Sequence, residues 1–354
     1  MNRKLLALAV GTALSLPLAA QAAPSVYGQL NLSVDKVSTN AVIAPAPVPV
    51  PPASADSWQV NSNSSRLGVM GEEALGSGLS AVYKAEWAVS GDVAGNPNSA
   101  TNTDLVGRDR YLGLKGSFGT VRLGAYDSPL KTSQGMVDQF NDMTYTDMAN
   151  FILGDNRLDN AIGYTSPKLA DVITLNAVIQ PGEGAGADSR LANAYSLSAV
   201  FESGGIYAAA AYDSDVTNGG YAAVTGYNTV RLTGGYTMDA LQFGILLQRS
   251  ALQDDGVIGI DPDTQTAFLL SAAFSLDEKN VVKAQIISTK DTPSPAFIGA
   301  PVNDEKTMVL EVGYDHNFTK MTKAYAQAGY AKTDVGAGPD QKDSVLTVGM
   351  LTKF

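Results

Sequence analysis

Residues 25–35 read Ser-Val-Tyr-Gly-Gln-Leu-Asn-Leu-Ser-Val-Asp, and every second residue from Leu30 to Val34 is apolar. The residues between them are polar, which predicts a β-strand with one apolar and one polar face. A strand of a soluble β-sandwich would show the same alternation. The fold class therefore depends on whether the pattern repeats along the chain.

The alternation does repeat, for example in residues 241–248, 282–286, 308–314 and 346–354. Turn-forming residues between such segments give short connections at 75–78, 117–119, 167–170, 203–205, 238–240, 276–280 and 317–320. Long connections rich in Gly, Pro, Asn and Asp lie at 38–57, 91–107, 127–156, 181–193, 214–228, 253–263, 291–304 and 333–341. Short and long connections alternate and together predict about 16 strands.

The N-terminus predicts export. Arg3 and Lys4 precede an apolar run from Leu5 to Leu18, and Ala20-Gln21-Ala22 is typical of a signal-peptidase site. We therefore expect residues 1–22 to be a signal peptide and residues 23–354 to form a single domain. The mature chain has no further apolar run of about 18 residues that would predict a transmembrane helix.

Charge and composition exclude several functions. The formal net charge of −11 becomes −13 when Arg3 and Lys4 are removed, which argues against nucleic acid and favours cations as partners. The chain has no cysteine and a single histidine, His316, so the sequence predicts neither an enzyme nor a metal or other cofactor site.

A chain that is exported, rich in alternating segments and without transmembrane helices can cross a membrane only as a closed sheet. The even strand number and the alternation of short and long connections predict an all-β fold, a transmembrane antiparallel β-barrel in the bacterial outer membrane. In this arrangement the short turns are periplasmic and the long loops extracellular. A barrel of 16 strands encloses an aqueous lumen.

Several segments resemble the Gram-negative general porins across essentially the whole mature chain. They are Ser25–Leu30, Ser65–Glu73, Tyr111–Thr120, Arg157–Pro167 and the terminal Phe354. The resemblance implies a homotrimer whose long third loop folds into the lumen, where loop acids face a ladder of arginines. It also implies contact with outer-membrane lipid and lipopolysaccharide, and Phe354 resembles the signal that the β-barrel assembly machinery recognises.

Strand parity suggests which basic residues face the lumen, because a charge on the lipid face costs about 2–4 kcal/mol near the membrane midplane. Arg108 and Arg110 share one parity, and Arg122 opposes its apolar neighbours Val121 and Leu123. By resemblance, Arg66, Arg108 and Arg157 match the constriction ladder best, and Arg110, Arg122 and Lys84 are weaker candidates.

The third long loop, 127–156, should supply the opposing acids, for which Asp138, Asp142, Asp147 and Asp155 are available. The loop lacks the Pro-Glu-Phe-Gly-Gly tip of enteric porins, and we expect Asp138 and Asp142 to point inward, with Asp147 as a further candidate. By parity Tyr27 and Tyr126 line the pore. Gln29 replaces a lysine found in some enteric porins, which favours cation preference.

The sequence thus predicts a channel for passive diffusion of ions and small hydrophilic solutes. Two alternatives stay open at this point. One is a substrate-specific channel for sugars or oligosaccharides, and the other is a barrel that acts mainly as an adhesin or surface scaffold through its loops.

Overall fold

The computed structural model describes residues 24–41, 53–92, 105–182, 190–216, 226–253, 263–292, 304–336 and 339–354. The predicted signal peptide lies outside the described residues. Most of the described chain is β-strand. The strands are β1 Ser25–Ala41, β2 Ala53–Ser62, β3 Arg66–Gly76, β4 Leu79–Val89, β5 Leu105–Gly116, β6 Gly119–Asp127, β7 Arg157–Thr165, β8 Ile173–Gln180, β9 Ala194–Ser203, β10 Ile206–Val216, β11 Tyr227–Met238, β12 Leu241–Leu252, β13 Thr264–Ser275, β14 Asn280–Thr292, β15 Glu305–Asn317, β16 Thr322–Asp334 and β17 Gln341–Lys353.

All 17 strand segments belong to one antiparallel sheet, which closes on itself where β1 pairs with β17. Segments β2 and β3 both pair with β1, in the registers Leu32↔Ser62 and Gln29↔Arg66. They are two parts of one barrel strand, separated by an irregular stretch at residues 63–65. The sheet is therefore a closed antiparallel barrel of 16 strands, as the alternating connections predict.

The closing contact uses the last residue of the chain. Gly28 N donates to Phe354 O over 2.9 Å, and Phe354 N donates to Gly28 O over 3.1 Å. A Cβ atom at position 28 would lie 2.6 Å from the Phe354 ring, so this close approach requires glycine.

The two faces of the sheet differ in polarity. In β12, Ile245 and Leu247 are 41% and 48% exposed, whereas Gln248, on the other face of the same strand, is 6% exposed. The same reversal of the soluble pattern, with apolar side chains outside and polar ones buried, recurs in β13, β14 and β15. An apolar outer face and a polar inner face are typical of barrels that contact lipid.

Two short helices lie in the connection between β6 and β7. They are α1, Pro129–Thr132, and a 3₁₀ turn, Met148–Asn150. None of the helices in the described ranges has the length and apolar character needed to cross a membrane.

The main apolar core also involves this connection. Val137, Met148 and Ile152 of the connection pack against Leu246, Ala267, Leu269, Ile287 and Val309 of β12 to β15. These strand residues share the buried face with the polar side chains. The core therefore lies between the connection and one sector of the barrel wall.

Candidate functional site

The connection between β6 and β7 leaves and rejoins the wall at neighbouring points. We call residues 128–156 the long loop. At its stems Ser128 N donates to Asn156 O over 3.0 Å, and Arg157 Nη2 lies 2.7 Å from Asp127 Oδ1. Lys131 Nζ lies 3.3 Å from Asp127 Oδ1 and 3.1 Å from Asp155 Oδ1. Hydrogen bonds and ion pairs therefore join the two ends of the loop.

Side chains from many strands hold the long loop against the polar face of the sheet. Its hydrogen-bond partners include Asn63, Ser196, Tyr207, Arg231, Gln248, Gln265, Ser271, Lys283, Gln285 and Gln327. Most of them bond to main-chain atoms of the loop. The polar residues of the alternating strands thus satisfy loop groups that would otherwise be buried without partners.

Arg231 of β11 is the largest of these partners that has no exposed surface. Its Nη1 donates to Leu130 O and its Nη2 to Leu153 O, each over 3.1 Å, while Nε donates to Gln248 Oε1 over 2.6 Å. Leu130 lies near the start of the long loop and Leu153 near its end. One guanidinium therefore fixes both ends of the loop to the wall.

On the side of the loop opposite Arg231, Arg66 of β3 contacts the loop acid Asp142. Arg66 Nη1 lies 2.8 Å from Asp142 Oδ2, and the two side chains are 22% and 27% exposed. Asp142 lies in the left-handed region, with φ 69°, at the tip of the loop. This pair is a direct contact between a wall arginine and a loop acid.

Beside Arg66, the wall carries a network of alternating charges. Arg108 Nε lies 2.7 Å from Glu86 Oε1, and Lys84 Nζ lies 3.4 Å from Glu86 Oε2 and 2.8 Å from Asp109 Oδ2. Arg157 Nε completes the network at 2.9 Å from Asp109 Oδ1. Three of the sequence candidates, Lys84, Arg108 and Arg157, are thus brought together.

Arg110 does not join them, and the expectation that it shares a face with Arg108 is wrong. Ala85 pairs with Arg110 but Trp87 pairs with Gly107, so that Arg108 and Asp109 both lie opposite Glu86. This β-bulge shifts the alternation by one residue. Arg110 consequently lies on the outer face with Leu112 and Leu114, and it is exposed there.

The remaining wall candidates lie on the inner face. Arg122 Cζ is 5.3 Å from the centroid of the Tyr111 ring and 4.7 Å from that of Tyr126, which is geometry typical of cation–π contacts. Tyr27 donates its hydroxyl to Glu86 Oε2 over 2.8 Å, and Gln29 Nε2 donates to Ser64 O over 3.2 Å. Tyr27 and Gln29 therefore border the charge network, whereas Tyr126 is 2% exposed and packs under Arg122.

Asp138 is buried rather than turned towards the arginines, which corrects our expectation for this residue. Its Oδ1 accepts from Phe140 N over 2.9 Å and from Gln285 Nε2 over 3.1 Å, and its Oδ2 accepts from Met148 N over 3.1 Å. Burial raises the pKa of the Asp138 carboxyl above the usual range, although these hydrogen bonds oppose the shift. Asp138 therefore holds the loop together.

Asp147 has a related role. It caps the 3₁₀ turn by accepting from Ala149 N over 2.8 Å, and its second oxygen accepts from Asp142 N over 2.7 Å. Burial and the neighbouring Asp138 carboxyl raise the pKa of Asp147 well above that of an ordinary aspartate. Asp147 thus positions Asp142 and does not contact an arginine among the described residues.

A second group of charges lies on β14, β15 and β16. Lys323 Nζ lies 2.7 Å from Asp315 Oδ2, and Lys283 Nζ lies 3.6 Å from Asp315 Oδ1 while donating to Gln139 O over 2.9 Å. A cavity of about 340 Å³ extends from Lys283 and Lys323 to Arg66 and Asp142. It joins the two groups of charges along the side of the loop tip.

Sequence reasoning missed several residues of this site. Glu86 shares the parity of Lys84 and could have been found from that signal, but Asp109 was hidden by the bulge. Lys283, Asp315, Lys323 and Arg231 also carry inward parity in their strands. No group of three His, Cys, Asp or Glu side chains suited to a metal ion occurs in the described part of the chain.

A family model described as Gram-negative porin matches residues 6–336. The chain is 26% identical over 365 residues to the major outer membrane protein P.IB of Neisseria lactamica, and the match covers 100% of both chains.

Solved structures have the same fold. An anion-selective porin from Comamonas acidovorans matches with a TM-score of 0.71 at 22% identity, covering 94% of this chain and 99% of that one. OmpT of Vibrio cholerae, in a trimer form, matches with a TM-score of 0.64 at 16% identity, again covering 94% of this chain and 99% of the other.

Proposed function

The chain belongs to the Gram-negative porin family, and we propose that its barrel passes ions and small hydrophilic solutes by passive diffusion with a preference for cations. As a porin it is an outer-membrane channel protein rather than an enzyme.

The pairing of Arg66 with Asp142 carries the proposal. A loop acid 2.8 Å from a wall arginine, both partly exposed, is the contact expected where a loop narrows a water-filled lumen. Fixed charges of both signs at such a narrowing create a transverse field. Polar solutes can align with that field, whereas apolar solutes must displace ordered water. The channel therefore favours hydrophilic solutes.

Charge balance supports cation preference. The ion pairs around the long loop bring together five basic side chains, Arg66, Lys84, Arg108, Lys131 and Arg157, and five acidic ones, Glu86, Asp109, Asp127, Asp142 and Asp155. Each arginine of this set therefore has an acidic partner. The strongly negative mature chain then attracts cations to both mouths. The anion selectivity of the Comamonas porin belongs to a protein that shares only the fold.

The decisive experiment is single-channel recording of the purified protein in a planar lipid bilayer, followed by the reversal potential across a tenfold KCl gradient. We expect discrete open steps and a cation-selective potential. An anion-selective potential would overturn the charge argument but keep the channel. Folded protein without conductance would favour the adhesin or scaffold alternative, and saturable current block by one oligosaccharide would favour the specific channel.

We also propose that the protein is a homotrimer. Arg110 lies about halfway along β5 on the outer face, where lipid contact would cost about 2–4 kcal/mol. Contact with a neighbouring subunit would give its guanidinium polar partners. The trimer form of the Vibrio cholerae OmpT structure is a precedent within the same fold.

For export and assembly we propose that residues 1–22 are removed as a signal peptide and that 23–354 is the mature domain. Phe354, which pairs with Gly28 at the closure of the sheet, is the proposed signal for the assembly machinery. The short turns then face the periplasm and the long loops the cell surface, where the outer wall contacts lipid and lipopolysaccharide.

A further inference from the structure

A second cavity, of about 420 Å³, lies beside the long loop and away from Arg66. Loop residues 144–151 form one side of it, and strands β1, β15, β16 and β17 form the other. Its apolar lining comes from Val37, Phe151, Val309, Ala331 and Val345. Cavities of this size that combine an apolar wall with a few polar groups are typical small-molecule sites.

Glu311 is the polar group that distinguishes this cavity. The side chain lines the cavity but is only 1% exposed, and its Oε2 accepts from Gln285 Nε2 over 3.0 Å. Among the residues that the structure describes, no group forms a hydrogen bond with Oε1. A buried carboxyl oxygen without a partner is costly, so the site favours a ligand that donates a hydrogen bond there.

The charges around the cavity favour a cation. Asp343 is a second carboxyl in the lining, and no lysine, arginine or histidine occurs among the described lining residues. Gln285 Nε2 also donates to Asp138 Oδ1, so one amide links two buried carboxyls. The ammonium of Lys283 is engaged by Gln139 O and by Asp315. Glu311 therefore forms no ion pair with any of the described groups.

The lining selects an organic cation over a metal ion. Metal sites need several oxygen ligands at short range, and the described residues contain no group of three acidic side chains that could supply them. Phe151, Val309 and Val345 offer instead an apolar surface next to the carboxyl. An ammonium group attached to an aromatic or aliphatic body satisfies both features.

We propose that this cavity binds small organic ammonium ions, with the ammonium donating to Glu311 and the apolar body lying against Phe151, Val309 and Val345. The site is separate from the ion pairs around Arg66. It would retain an amine with an apolar body, whereas K⁺ would pass.

Isothermal titration calorimetry of the full-length mature protein in detergent tests this, with 2-phenylethylammonium as the probe and 2-phenylethanol as its uncharged analogue. We expect saturable binding of the ammonium and at least tenfold weaker binding of the alcohol. Glu311→Gln should weaken the ammonium at least tenfold. Glu278→Gln, which makes the same change in an exposed turn, should leave the affinity unchanged.

A second variant addresses the link between Glu311 and Gln285. Ala331→Phe adds bulk to the cavity but leaves the carboxyl and its hydrogen bond in place, and it should also abolish binding of the probe. Equal affinities for ammonium and alcohol, or wild-type affinity in both Glu311→Gln and Ala331→Phe, would overturn the proposal. Calorimetry reports binding whether or not the barrel conducts, so failure of this site is distinguishable from failure of the channel function.

Discussion

Arg66 of β3 and Asp142 of the long loop form an ion pair of 2.8 Å in which neither side chain is fully buried. Ion pairs with this much solvent contribute only about 0–1 kcal/mol to stability. The pair therefore matters less for holding the loop, which the buried contacts of Arg231, Gln248 and Gln285 secure, than for the field in the space next to it.

Neutralising either member of the pair should change selectivity in opposite directions. Asp142→Asn should lower cation preference and Arg66→Ser should raise it. A unit charge about 7 Å away in water changes the energy of an ion by about 0.6 kcal/mol, or roughly threefold in local concentration before salt screening. The reversal potential across a KCl gradient measures both shifts.

Asp138→Asn is the matched control for Asp142→Asn, because it removes the same formal charge from a side chain that is buried within the long loop. Its effect on the reversal potential should be the smaller one. Equal shifts in the two variants, or no shift in either, would show that Asp142 is not the acid that faces permeating ions.

Arg231→Met should loosen the long loop. The substitution removes the hydrogen bonds to Leu130 O and Leu153 O and leaves the buried Gln248 Oε1 without a donor among the described groups, and an unsatisfied buried acceptor costs about 1–3 kcal/mol. We expect a lower urea midpoint and more frequent current fluctuations in single-channel records. Arg249→Met alters the neighbouring strand on its exposed outer face and should change neither quantity. Currents from Arg231→Met with no more fluctuation than the wild type would contradict the proposal that Arg231 fixes both ends of the long loop to the wall.

The raised pKa of Asp147 predicts a pH dependence of stability with a defined sign. The folded state favours the neutral Asp147 carboxyl. Its contribution to the stability of the fold is therefore complete below the unfolded-state pKa of about 3.9 and is lost as pH rises through the raised pKa of the folded state. As pH rises from acidic to neutral, the stability of Asp147→Asn, measured by thermal unfolding, should therefore decline less than that of the wild type. Parallel pH curves for the two proteins would refute this assignment.

Arg110→Leu tests the outward position that follows from the bulge at Arg108 and Asp109. The reversal potential and conductance should stay at wild-type values, because the side chain does not face the lumen. If the outer face at this position is a subunit contact, the temperature at which the oligomer dissociates on a semi-native gel should fall. A change in ion selectivity would place Arg110 inside after all.

The fold was largely predictable because a membrane barrel imposes a period of two on every strand and joins the strands by alternately short and long connections. Residues 282–286 and 308–314, with their apolar and polar faces, already carry this information. The break at residues 63–65 was not predictable, since Asn63 leaves the strand pattern to accept hydrogen bonds from Thr144 of the long loop.

The candidate site was predictable only in part. Arg66, Lys84, Arg108 and Arg157 follow strand parity, and the structure places them on one face. Arg110 and Asp109 exchanged faces because a single extra residue in β5 inverts the pattern beyond it. Asp138 and Asp142 lie on an irregular loop without any period, so their directions depend on hydrogen bonds that no local sequence pattern encodes.

The pairing of β1 with β17 has a consequence for the order of events during folding. The first strand to leave the ribosome has no neighbour on one side until the last strand has been synthesised, and contacts this distant in sequence form slowly. Until closure both edges are open to pairing with other chains. Loss of the final strand would therefore do more than shorten the protein: it would leave a sheet with two permanent edges, prone to aggregate before it reaches the membrane.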